Sequence, residues 1–215
     1  AAGFSLELMG IISGGVAAVS WDFGDGTSAS NLALACHAWD ATGTWAVVLR
    51  AWNSQGAEVS AATVRVEVLR RESFVAAGGS HEPPFASWDT AASNIQAAVD
   101  AATLPGMTIW VTNGVYATGG RTVDGLLLNR LIATNPVVVK SINGPEVTTI
   151  EGAEDPTTTN GPGAVRAVYL GGRSRLSGFR IARGHTRSTS SGYGDSDIYG
   201  GGIQCEFATA VVSNC

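Results

Sequence analysis

The stretch that most constrains the fold is residues 20–27, Ser-Trp-Asp-Phe-Gly-Asp-Gly-Thr. Trp21 and Phe23 lie two residues apart, so in a β-strand they share one face and Asp22 takes the other. The following Asp25-Gly26 pair is among the strongest short signals for a tight turn between antiparallel strands. The pattern predicts a core-facing strand that ends in a turn.

Further strands are predicted at residues 43–53 and 62–68, where apolar side chains alternate with small or charged ones. The Trp-Asp-Phe-Gly-Asp-Gly run, a His-x-aromatic element at His37, a Gly-x-aromatic-x-Val-x-Leu strand at Gly43 and a final Val-x-Val strand follow in order. Together they resemble a PKD domain, a small immunoglobulin-like β-sandwich common in secreted and surface proteins. The resemblance covers residues 5 to 69 and implies a β-sandwich.

Composition favours an all-β protein, because charged residues are only 14% of the chain and glycines number 28. The net charge of −5, with thirteen scattered Lys and Arg residues, argues against a nucleic-acid partner. The sequence has no apolar run of the eighteen or so residues that a membrane span needs. Charged and then small residues follow the sandwich, so we expect domain 1–70, a linker at 71–80 and a second domain at 81–215.

The second domain begins with one helical pattern and continues as short β-rich runs. Ile95, Ala98, Val99 and Ala102 have helical spacing, which predicts a short amphipathic helix. Pairs of β-rich runs then recur roughly every thirty residues, separated by Gly- and Ser-rich insertions. Short strands that cannot each bury a face alone are typical of a solenoid.

This half also resembles a known family. Pro-Phe-x-Ser-Trp near residue 84, Asn-Gly-Val-Tyr from Asn113, Leu-Ser-Gly-Phe from Leu176, Gly-Gly-Gly from Gly200 and Ser-Asn-Cys from Ser213 look like the start of a right-handed parallel β-helix of the pectin-lyase-like superfamily. The likeness is to large bacterial secreted proteins with repeated coils. It implies that the helix is an N-terminal cap.

The C-terminal stretch has no closing element, so we expect further coils and association of chains through the last coil, partly by oxidised Cys215. The three cysteines, Cys36, Cys205 and Cys215, cannot form a disulfide framework. They are therefore interpreted as small buried apolar residues.

Candidate ligand-binding residues lie in both halves. Trp52 breaks the alternation of its strand, so its ring is expected to be exposed and suited to stacking on a sugar. Arg183, His185 and Arg187 follow one another in an insertion and are suited to an acidic glycan. A charged strand edge facing solvent explains these three equally well. Trp88 either lines a groove with His81 or packs on the cap.

Metal binding is a weaker alternative. Asp195 and Asp197 are spaced like the start of a calcium site, but no bidentate Glu follows. A solvated loop is the competing interpretation. Asp22 and Asp25 are more typical of turns that bind their own backbone, and His37 of a packed or turn-bonding side chain.

Two functions remain open. The first is a secreted or cell-surface protein that binds glycans or adheres, with the sandwich as spacer and the β-helix as an extended binding surface. The second is the N-terminal part of a polysaccharide lyase or glycoside hydrolase. Hydrolysis needs a pair of suitably placed carboxylates, and the sequence assigns no catalytic residue. No cofactor is firmly implied, with calcium the one candidate.

Overall fold

The chain folds into two compact units, Ala1–Arg70 and Arg71–Cys215. The computed structural model describes residues 5–123, 125–189 and 197–215. Helix makes up 3% of the part of the chain that the structure describes, so the predicted all-β class is confirmed. Within the described ranges, no helix is long and apolar enough to cross a membrane.

The first unit contains two antiparallel sheets. One pairs β1 with β4, and the other has the order β3-β2-β5-β6. The strands are β1 Ser5–Met9, β2 Ala18–Asp22, β3 Ser28–Ser30, β4 Leu34–Ala38, β5 Gly43–Trp52 and β6 Glu58–Val68.

An aromatic cluster forms the core of this unit. Trp21, Phe23 and Trp39 are buried together with Val47, while Asp22 is exposed on the opposite face of its strand. The indole Nε1 of Trp21 donates to the Leu32 carbonyl at 2.9 Å, and that of Trp39 donates to the Phe23 carbonyl at 3.0 Å. Both rings therefore bury their apolar surface without leaving the N–H unpaired.

The second unit is a β-solenoid of about four turns over residues 72–213. Its sheets have the orders β7-β8-β12-β15-β18, β9-β13-β16 and β10-β11-β14-β17, and every pairing is parallel except that of β10 with β11. The elements are β7 Glu72–Val75, α1 Ile95–Asp100, β8 Thr108–Val111, β9 Gly114–Tyr116, β10 Arg121–Thr122, β11 Leu128–Ala133, β12 Val138–Ser141, β13 Thr148–Glu151, β14 Val165–Leu170, β15 Arg175–Ser177, β16 Arg180–Ala182, β17 Ile203–Cys205 and β18 Val211–Ser213.

Equivalent residues of successive turns stack into rows inside the solenoid. Ser73, Ile109, Val139 and Leu176 occupy matching positions of four neighbouring strands, and all four are buried. The parallel solenoid is therefore confirmed. The predicted grouping into pairs of strands is wrong, because full turns have three strands, one for each sheet.

Helix α1 covers part of β11. Asn94 is its N-cap, and the Asn94 side chain accepts a hydrogen bond from Ala97 N at 2.9 Å. The buried Gln96 side chain accepts from Ile132 N at 2.6 Å and donates to Ile132 O at 3.2 Å. The predicted short helix is confirmed, and its polar Gln96 satisfies backbone groups of β11.

Residues 71–80 differ from the predicted linker, because β7 pairs with β8 as the first strand of the solenoid. Alternation explains the difference, since Ser73 and Val75 are buried while Glu72 is exposed. The prediction of buried cysteines is wrong for all three, which are free thiols on exposed residues. Cys36, for example, follows the buried Ala35 and faces the other way.

Candidate functional site

The predicted site residues of the solenoid lie after β16, and Arg183 is the first of them. Its φ of 50° is uncommon for a residue other than glycine. Arg183 Nη1 lies 3.1 Å from Glu151 Oε1, and Nη2 lies 3.8 Å from Glu154 Oε1. The guanidinium therefore bridges two carboxylates at the surface, with its side chain 62% exposed. Such exposed pairs contribute little stability and can exchange for a ligand.

His185 is anchored to the start of β14 and to the loop that precedes it. Its backbone N donates to Val165 O at 3.0 Å, and its Nδ1 lies 3.3 Å from Asn160 Oδ1. The Arg187 backbone N donates to Asp197 O at 2.9 Å, and its side chain is half-buried. The structure thus keeps Arg183, His185 and Arg187 on one segment, with Asn160 beside the histidine.

The loop that presents Asn160 is held by Asp155, a residue that the sequence analysis did not single out. Its buried carboxylate accepts hydrogen bonds from Thr157 Oγ1 at 2.7 Å, Thr157 N at 2.9 Å and Gly163 N at 2.7 Å. These bonds, led by that from the Thr157 hydroxyl, lower the pKa of Asp155 well below its ordinary value. The Asp-Pro-Thr-Thr sequence is a turn signal that identifies such a loop in advance.

Close backbone approach explains the Gly-Gly-Gly run that follows the insertion. A Cβ on Gly184 would clash with the Gly201 carbonyl, and a Cβ on Gly201 would clash with Gly184. The Gly201 carbonyl accepts from Ala167 N at 3.1 Å. The glycines therefore let the site segment and the start of the next turn pack against β14.

A buried cation, Arg166, lies beside the end of the insertion. Arg166 is 1% exposed and donates to Asn129 Oδ1 at 2.8 Å and to the carbonyls of Tyr199 and Gly200 at 2.7 and 3.0 Å. Burial lowers the pKa of Arg166, and the charge of Asp197 opposes that shift. The network ties the end of the insertion to β11 and β14.

Only one of the two predicted calcium ligands is among the described residues. Asp195 lies outside the described residues. Asp197 is 2% exposed, and its two carboxylate oxygens lie 3.1 and 3.3 Å from Leu126 N and Leu127 N, which donate to them. Across the described part of the chain, no group of three or more His, Cys, Asp or Glu residues is placed to hold a metal ion.

A cavity of about 640 Å³ opens beside the last described turn. Its apolar lining includes Ile181 and Ile203, which pack against the solenoid core, and Val212, which stacks on the core residue Leu176. The polar residues Glu146 and Arg180 also line it. Arg183, His185 and Arg187 are not among its lining residues.

Trp52, the other predicted ligand-binding residue, belongs to the first unit. It ends β5 at a register shift between Ala51 and Trp52, which agrees with the break in alternation that the sequence shows. The residue is half-buried, less exposed than predicted. Its backbone carbonyl accepts from Ala17 N at 2.8 Å.

The turn residues of the sandwich bind one another. Asp22 accepts from Gly24 N at 3.0 Å, and Asp25 accepts from the Thr27 hydroxyl at 2.6 Å. His37 Nε2 lies 2.7 Å from Asp25 Oδ2, and its ring stacks on Phe23 at a centroid distance of 4.0 Å. This arrangement matches the structural interpretation of Asp22, Asp25 and His37.

The two units make the chain an all-β protein in which a sandwich is followed by a parallel solenoid. Residues 4–68 match the family model of the PKD domain, which confirms the resemblance in the N-terminal unit. No curated protein matches the chain. The two folds fit a multidomain extracellular or adhesive protein. Membership of the pectin-lyase-like superfamily stays a prediction.

Proposed function

We propose that the protein is secreted or displayed at a cell surface and adheres to polysaccharides through its solenoid, with the PKD sandwich as spacer. PKD domains are typical of extracellular proteins and often take part in adhesion. The observation that carries the proposal is the in-register stacking of the turns. Stacked repeats present equivalent side chains along an extended surface, which suits a long chain-like ligand.

The Arg183 segment is the proposed contact for an acidic glycan. Arg183 can exchange its carboxylate partners Glu151 and Glu154 for a ligand carboxylate, since its own side chain is 62% exposed. His185 and Arg187 lie beside it on the same segment. Charge-assisted hydrogen bonds from these groups would orient a uronate.

A glycan array probed with the whole chain tests the proposal. We expect binding to acidic polysaccharides and weaker binding by Arg187→Gln. Arg65→Gln is a matched control, because Arg65 is exposed on β6 of the sandwich. Absence of binding to every polysaccharide on the array would refute adhesion to glycans. Equal loss in both variants would show a general charge effect.

We further infer that copies of the chain associate through β18, an edge strand of the described residues. In the described residues β18 pairs only with β15, and Val211, Val212 and Phe207 are exposed. An unpaired edge with apolar side chains favours association. Sedimentation under reducing conditions should show concentration-dependent association, and a monomer at all concentrations would contradict it.

A further inference from the structure

The outward face of the β7-β8-β12-β15 sheet carries an aromatic and cationic surface. On neighbouring strands, Phe74, Trp110 and Lys140 occupy matching outward positions. The Trp88 ring packs edge-on against Phe74, with the centroids 4.6 Å apart, and the residue is 41% exposed. Arg175 is exposed on the next strand, beside Val138. We call Phe74, Trp88, Trp110, Lys140 and Arg175 the aromatic–cationic face.

Trp110 positions the lysine of this face. Lys140 Nζ lies 5.3 Å from the centroid of the Trp110 ring, within cation–π distance. The indole Nε1 of Trp110 donates to Glu72 Oε1 at 3.1 Å, which fixes the ring. The ammonium therefore lies close to the aromatic part of the face.

The two cations of the face have no ion-pair partner in the described part of the chain. The carboxylates that lie within 4.0 Å of a cationic group pair with other residues, namely His37, Arg50, Arg121 and Arg183. Lys140 and Arg175 sit on adjacent strands with the same outward orientation. Their charges are therefore available to an anionic ligand.

The edge-on contact with Phe74 leaves part of the Trp88 indole in water. An exposed aromatic surface that adjoins oriented polar groups is typical of a ligand-binding site. A sugar ring is complementary to both the aromatic and the cationic side chains of the face. Its C–H face packs on an aromatic ring, and its edge carries polar groups. The strands from β7 to β15 span about 15 Å, because neighbouring strands lie about 4.8 Å apart.

We propose that the aromatic–cationic face binds an acidic polysaccharide, with a sugar ring stacked on Trp88 and carboxylates bound by Lys140 and Arg175. The inference rests on the proposed adhesion to glycans and places a second binding surface on a different sheet from the Arg183 segment. Charge complementarity selects an acidic chain, since Lys140 and Arg175 give the face two unpaired cations against one carboxylate, that of Glu72, which accepts a hydrogen bond from Trp110.

Titration of the whole protein with polygalacturonate and with its methyl ester tests this, because the two probes share a backbone and differ in charge. We expect Trp88→Ala to weaken binding of both probes about tenfold, as loss of an aromatic anchor does. Trp88→Phe should keep most of the binding. Lys140→Gln should weaken binding of polygalacturonate about tenfold and leave the ester nearly unchanged.

Controls separate the face from the rest of the surface. Tyr199→Ala removes an aromatic side chain of a residue that is 59% exposed, and Arg65→Gln removes a charge from the sandwich; both should bind like the wild type. Thermal unfolding of each variant checks that it folds.

Three outcomes would overturn the inference. Binding of polygalacturonate that is unchanged in Trp88→Ala and Lys140→Gln refutes this face while the proposed function stands. Binding of neutral polysaccharides alone refutes the acidic ligand. No binding to any polysaccharide refutes both this inference and the proposed function.

Discussion

The sandwich and the solenoid bury their cores in different ways. The sandwich concentrates burial in a small aromatic cluster of Trp21, Phe23 and Trp39 between two antiparallel sheets. The solenoid spreads burial over rows such as Ile109, Val139 and Leu176, in which each turn contributes one aliphatic side chain. The stability of a small cluster depends on each of its members, whereas the stability of a row depends on contacts between neighbouring turns. Core substitutions should therefore affect the two units differently.

Replacing Trp21 by Ala should have the largest effect. The change leaves a cavity in the small core and removes the hydrogen bond to Leu32, at a cost of about 3–5 kcal/mol. That is a large part of the stability of a small domain. Calorimetry should show loss of the sandwich transition with the solenoid transition kept. Val64→Ala, at a residue 48% exposed, is the control, and an unchanged melting temperature in Trp21→Ala would contradict a core role.

Leu176→Ala in the row of the solenoid should cost about 2–5 kcal/mol. Its neighbours in the row, Val139 and Val212, come from the turns on either side. The solenoid transition should move to lower temperature and broaden, because turns distant from β15 keep their contacts. Leu126→Ala, at a residue 58% exposed, should change little. A lower melting temperature of the sandwich in Leu176→Ala would contradict the separation.

Gln96→Leu tests the attachment of the helix to the solenoid. The substitution leaves the buried N–H and C=O of Ile132 without their side-chain partner, which typically costs about 1–3 kcal/mol. Hydrogen exchange should accelerate at Ile132 and along α1. Gln55→Leu, in an exposed turn of the sandwich, should leave exchange in the solenoid unchanged. Protection of Ile132 in Gln96→Leu would show that another group satisfies it.

The smallest effect is expected from Asp25→Asn in the sandwich turn. Hydrogen bonds from Thr27, with a contribution from His37, lower the pKa of Asp25 to about 2. A carboxyl whose pKa is depressed on folding stabilises the fold above its unfolded pKa of about 3.9. That stabilisation is lost as the pH falls from about 4 to about 2. The sandwich of the wild type should therefore lose stability over this range more steeply than Asp25→Asn.

Thermal melts across that range, with Asp40→Asn as an exposed control, measure the difference. Parallel curves for wild type and Asp25→Asn would mean that the hydrogen bonds to Asp25 contribute nothing to the pH dependence.

Local patterns predicted much of the sandwich and the helix. Trp21 and Phe23 share a face because a strand alternates, and the turn at Asp25-Gly26 follows them directly in sequence. Asn94 caps α1 for an equally local reason. Such features depend on neighbours a few residues away, so a single sequence contains them.

Features formed by residues distant in sequence were not predictable in the same way. In sequence, β7 resembles a linker. It is recognised as a strand only from its pairing with β8, and Ser73 is buried there. The contacts of Arg183 with Glu151 and Glu154 require strands from two different turns. The sequence indicated that the segment with Arg183 is charged. Its partners Glu151 and Glu154 could not be predicted, because the stacking of the turns brings them beside Arg183.

Binding and cleavage measured together on acidic polysaccharides test the central claim most directly. The whole chain would be incubated with polygalacturonate and with alginate, with retention of the protein measured beside release of unsaturated or reducing ends. We expect retention without release above a vector control, as for an adhesive protein. Release of either kind of end would contradict this and favour a lyase or a hydrolase.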